Sequence, residues 1–170
     1  MASVELQILH DEPGFVIASW RHVLVTVFWR RACVADLEIL EDRQEIIKKE
    51  HGRFASLSVM LAPIRTTIDE KARQKSGEMA KANGTKMIAA AVVVGDSGLR
   101  ATIMRSILTG IMLLGRTASP TKPFSNVPDA TQWLLSIPGN PEIDTGSMDA
   151  LAAAVMELAD SRAVEQGPGV

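Results

Sequence analysis

Two stretches constrain this chain more than any other. "VLVTVFW" (23–29) and "KMIAAAVVV" (86–94) are apolar at nearly every position, with no alternation. A strand with one wet face alternates, whereas a strand covered on both faces does not. Both runs therefore read as central strands of a sheet that carries helices, so the architecture is layered α/β.

The segments between them fit that layering. Val4, Leu6 and Ile8 alternate with Glu5 and Gln7, as in a half-buried strand. Asp11-Glu12-Pro13-Gly14 reads as a turn and "FVIASW" (15–20) as the second strand of a hairpin. Arg21-His22 marks a short break before the third strand. After Arg31 the period lengthens. Leu37, Leu40, Gln44 and Ile47 fall on one face of a four-turn helix, with Lys48, Lys49 and His51 near its C-terminal end and Gly52 as its stop.

"FASLSVMLA" (54–62) is a fourth strand, ended by Pro63. Thr67-Ile68-Asp69-Glu70 has the form of a capping box and opens a polar, alanine-rich helix that reaches about Ala82 and is closed by Asn83-Gly84. The fifth strand follows, then a helix from Ser97 through Leu114. Residues 122–127 ("KPFSNV") form a last strand, placed at an edge because Pro123 cannot donate to a ladder. A short helix at 128–135 has Pro128 in its first turn. The order is β-β-β-α-β-α-β-α-β-α plus one more helix, which implies a mixed sheet with an N-terminal hairpin and βα units.

The domain reading places an α/β domain at 1–137, a linker at 138–146, a C-terminal helix at 147–165 with Ser147 as its cap, and a disordered tail at 166–170. The 170 residues suit one core, and 46% apolar with 22% charged residues exclude a disordered chain. Net charge is −2 with no Lys/Arg cluster, which argues against nucleic acid as a partner. No stretch reads as a signal peptide or membrane span, and the single Cys33 cannot form an internal disulfide, so a cytoplasmic, soluble protein is expected.

"VVVGDSGLR" (92–100) delivers Ser97 to the start of a helix. Its letters resemble those of GDSL hydrolases, GDSGG serine proteases and the DSSGL phosphorylation switch of anti-sigma-factor antagonists. A serine nucleophile needs an oriented base, and His10, His22 and His51 all precede it. No catalytic residue is assigned. Ser97 reads as a helix N-cap, with Ser97 and Gly98 as an anion-contact alternative and Thr66 and Thr67 as capping or phosphorylation candidates. Three scattered His and one Cys lack metal-ligand spacing, so neither a metal nor a cofactor is expected.

The order of elements, the hairpin, the βα steps and the ending "KPFSNVPDATQWL" resemble the STAS/SpoIIAA-like superfamily, whose founding members are anti-sigma-factor antagonists, over roughly Phe15 to Leu135. That resemblance implies a non-enzymatic regulatory or protein–protein interaction module, and some such proteins bind phosphate-bearing or lipid-like ligands. Asp96-Ser97-Gly98-Leu99 lies one βα unit later than the family's phosphorylated serine; the matching junction here is "LAPIRTTIDE".

Met104, Leu108 and Met112 form a second apolar ridge on the 97–114 helix, and Leu151, Val155 and Leu158 line one side of the last helix. These six are the interaction-surface candidates, covered by each other's helix or by a second copy in a homodimer. The expected class is a cytosolic interaction module with a protein partner. The alternatives are a binder of a small apolar or anionic ligand, and a hydrolase using Ser97.

Overall fold

A computed structural model describes residues 3–61, 70–95, 98, 101–102 and 119–165. It is a mixed α/β fold built on six strands: β1 (Gln7–Glu12), β2 (Phe15–Trp20), β3 (Val23–Phe28), β4 (Phe54–Met60), β5 (Met87–Val94) and β6 (Thr121–Phe124). Their order across the sheet is the order along the chain. β1, β2 and β3 are antiparallel, and β3 to β6 run parallel to one another. The two all-apolar runs are indeed interior strands, and β6, with Pro123, is an edge. No helix among the described residues is long and apolar enough to cross a membrane.

Among the described residues, four helices of ten residues or more cover the sheet. On one face lie α1 (Val34–His51) and α2 (Glu70–Asn83), sharing a core with Phe15, Ile17, Leu24, Phe28 and Phe54. On the other lie α3 (Val127–Ser136) and α4 (Thr145–Glu165), packed with Val23, Val25, Val27, Leu57, Val59 and Ala91. α3 sits over β4, β5 and β6. α4 carries Arg162 to Asp11 on β1. The buried face of α1 is Leu37, Leu40, Gln44 and Ile47, as its spacing predicts, with Asp36 in addition. Gly52 ends it at φ +76°, a left-handed conformation glycine adopts without a Cβ clash, and its N–H returns to Lys48 O at 2.8 Å.

Several local expectations are corrected. β1 starts at Gln7 and runs through Asp11 and Glu12, which pair with Val16 and Phe15; only Pro13 and Gly14 make the turn. Its register slips between Ile8 and His10, which leaves Ile8 43% exposed, because a one-residue bulge swaps the faces of the residues beside it. Val4 and Leu6 precede the strand but still pack against the α3/α4 core. Asn126 is the N-cap of α3, accepting from Asp129 N–H at 2.9 Å, so Val127 belongs to the helix and not to β6. Asp144, not Ser147, caps α4; its carboxylate accepts from the Ser147 N–H at 2.9 Å and hydroxyl at 2.6 Å.

The segment expected as a linker is fastened down. Asn140 Nδ2 donates to the carbonyls of Leu134 and Ile137 at 2.8 and 2.9 Å, and Ile143 is buried. Leu151 and Val155, expected on an interaction surface, are fully buried against the chain's own sheet and α3, while Leu158 is partly buried beside them.

One polar latch fixes α1. The Arg30 guanidinium donates to both Asp36 oxygens at 2.6 and 2.9 Å, to Glu12 Oε1 at 3.1 Å and to the Pro13 carbonyl at 3.3 Å. Asp36 also accepts from the Cys33 N–H at 2.9 Å, closing the first turn of the helix. Burial pushes the Asp36 carboxyl up, but the Arg30 fork and the Cys33 bonds outweigh it and hold the group below its usual range. Gly14, at φ +86°, lies under this arginine; a Cβ there would meet Arg30 Cγ at 2.6 Å.

Candidate functional site

A cavity of about 340 Å³ opens between α1, α2 and the sheet. Its origin is legible in β4, where "FASLSVM" alternates. Ala55, Leu57 and Val59 point into the α3/α4 core, whereas Ser56, Ser58 and Met60 line the cavity. The parallel register sets Ser56 beside Ala90 and Ala90 beside Thr121, so three neighbouring strands present small side chains at one level. Leu37 and Leu40 of α1 and Ala72 and Met79 of α2 cannot reach down far enough to fill the gap.

The walls are mostly apolar, and two of the polar groups among them, Gln44 and Asn83, bond each other. Asn83 Nδ2 donates to Gln44 Oε1 at 3.0 Å, and Lys48 Nζ donates to Asn83 Oδ1 at 3.0 Å. The lysine fixes which end of the Asn83 amide accepts, so the Gln44 amide nitrogen is left with its donors. Lys75 Nζ bonds Glu41 Oε2 at 2.6 Å and joins the two helices on their outer side. The cavity is thus held by polar ties at its rim and offers dispersion contacts within.

The sequence-predicted site residues fare unevenly. Thr66, Thr67, Ser97, Met104, Leu108 and Met112 lie outside the described residues. Gly98 is helical and exposed, and its carbonyl accepts from the Thr102 hydroxyl at 3.1 Å. Cys33 is the exposed N-cap of α1. Trp20, Trp29 and Trp133 pack partly buried against the α3/α4 core.

The histidines are remote from the end of β5. His22 and His51 line a pocket with Ile88 at the start of that strand, and the six residues from there to Val94 span about 20 Å. His10 is on β1, four strands from β5, again about 20 Å away. Among the described residues, no group of His, Cys, Asp and Glu is disposed to hold a metal ion.

Sequence reasoning missed the cavity residues Ser56, Ser58, Met79, Asn83 and Ala90. The signal was present in "FASLSVM", where one parity is aliphatic and the other partly hydroxyl-bearing. Comparison of the chain with family models, with curated proteins and with solved structures returns no match.

Proposed function

We propose that the chain is a non-catalytic, STAS-like regulatory binding module whose cavity takes a small apolar molecule. The observation that carries this reading is the 340 Å³ cavity floored by Ser56, Ser58 and Ala90 and walled by leucine and methionine. Pockets of this volume, mostly apolar with a few paired polar groups, suit small-molecule ligands. Methionine walls adapt to ligand shape, because the side chain is unbranched and polarizable. The STAS-like class is supported by the chain-ordered hairpin and βα units and by the closing strand and helix of "KPFSNVPDATQWL". The non-catalytic part is supported by the distance of every imidazole from the end of β5. The burial of Leu151 and Val155 shifts the weight from a protein-contact surface to this interior site.

The test is uptake of a neutral fluorescent probe, N-phenyl-1-naphthylamine, together with mass spectrometry of an organic extract of the purified protein. Saturable fluorescence enhancement that is lost in Ser58→Leu and Ala90→Leu is expected. An empty extract with no saturable uptake overturns the reading.

A further inference from the structure

A second pocket, of about 370 Å³, lies at the end of the sheet where the parallel strands begin. Its chemistry is opposite to that of the cavity. The β2–β3 turn supplies Arg21 and His22, the end of α1 supplies His51, and the turn just before β4 supplies Arg53. Gly139 and Pro141, from the segment before α4, complete it.

We propose that this pocket is an oxyanion site that takes the phosphate group of a small soluble molecule. Neither Arg21 nor Arg53 forms an ion pair among the described residues, whereas Arg30 and Arg162 both do. Arg53 spends only Nε, on the Thr85 carbonyl at 3.0 Å. Its guanidinium lies against Gly139, where a Cβ would meet Nη1 at 2.7 Å, so the absence of a side chain there lets the arginine lie across the loop. Arg21 stands over the Trp20 ring, 4.5 Å from its centroid. It is also the one non-glycine residue among those described with positive φ, at +51°. That conformation is strained for an L-residue, and glycine would avoid the strain.

His22 forms the buried floor. Asn140 gives both amide hydrogens to carbonyls, so its Oδ1 faces His22 Nε2 at 2.8 Å as an acceptor, and Nε2 carries a proton. The imidazole is therefore held at a fixed angle. Two carboxylates stand nearby. Asp144 bonds Ser147 at the start of α4 and its carboxyl is also held down by the Arg21 charge, and Glu50 lies 3.9 Å from His51. Two guanidinium forks without a direct ion pair, with imidazoles beside them, match the charge and geometry of phosphate oxygens.

The experiment is titration of the intact chain with orthophosphate, followed by calorimetry and by histidine ring NMR signals, with chloride at matched ionic strength as control. Saturable binding that shifts the His22 signals is expected. Arg21→Gly and Arg53→Ala should each weaken it about tenfold or more, the loss of one charge-assisted contact. Arg21→Gly also removes the positive-φ cost, so this variant should be at least as stable as the parent while binding less. Tighter binding of glycerol phosphate than of orthophosphate identifies a monoester ligand, and the reverse identifies the free ion; either supports the site. Equal response to chloride, or phosphate binding unchanged in both variants, overturns it.

Discussion

The two faces of the sheet are built from the same strands and finished differently. On the α3/α4 face, β4 and β5 present Ala55, Leu57, Val59, Ala89, Ala91 and Val93, all buried. On the α1/α2 face the same strands present Phe54 and Ser56, which are buried, and Ser58, Met60, Ala90 and Val92, which are only partly buried. One face is an aliphatic core closed by α3 and α4, and the other retains a hole. The lesson is that a central strand need not be uniform to be interior. Residues of one parity can build the core while their immediate neighbours leave room for a ligand.

This contrast can be broken by substitution. The largest expected effect is on the closed face. Leu134→Ala and Leu151→Ala, at fully buried positions, should each cost about 3 kcal/mol or more in urea unfolding. Leu40→Ala, beside the cavity, should cost about half as much because its surroundings are already loose. Equal losses at the three sites would erase the distinction between the faces.

Next is the latch that sets α1 over the cavity. Asp36→Ala should cost about 2 kcal/mol, since it strips the Arg30 fork and the Cys33 cap bond from one buried carboxylate. The folded Asp36 carboxyl titrates below its unfolded value of about 3.9, so its contribution is complete above that pH. It declines as the pH falls through that value toward the lower folded one. Urea midpoints measured from pH 6 to pH 3 should therefore fall less steeply in Asp36→Asn than in the parent.

A smaller effect of opposite sign is expected inside the cavity. Ser58→Val should raise stability by about 0.5–1 kcal/mol, because apolar surface enters a space that the fold does not fill. A loss there would mean that the Ser58 hydroxyl matters more than the empty volume.

The smallest expected effect concerns His22. Burial, more than the neighbouring His51 and Arg21 charges, pulls its pKa below 6.5, against the opposing bond to Asn140. The unfolded chain therefore takes up the proton first. Stability is complete above about pH 6.5, declines as the pH is lowered, and levels off once the folded imidazole also protonates. His22→Gln should flatten the decline measured between pH 7.5 and 5.

The layering, the central strands and the face of α1 were legible because each rests on a local period: an unbroken apolar run at 23–29 and 86–94, and a 3.6-residue repeat at Leu37, Leu40, Gln44 and Ile47. The site was not. The cavity arises from small residues on three strands meeting at one level, and the Arg21–Arg53 pocket from a turn, a helix end and a loop spread over more than 100 residues of the chain. The two expectations for α4, an apolar side shared with the 97–114 helix or a second copy and a Ser147 cap, met the chain's own sheet and Asp144 instead. Spacing shows that a helix has an apolar side but not what covers it, and a cap is chosen by which carboxylate reaches the first amides. The bulge at Leu9 was hidden similarly, since alternation in "VELQI" cannot reveal where pairing will skip a residue.

The identity of strand order and chain order bears on how the polypeptide is made. As it leaves the ribosome, each new strand finds its sheet neighbour already synthesised, and β1 to β5 can accrete from one side without threading. The hydrophobic underside of that growing sheet lacks α3 and α4 until residues 127–165 emerge, and those helices pack on it. Translation halted before residue 127 would leave a nascent chain with most of its strands and none of that cover, the form best suited to capture by a holding chaperone.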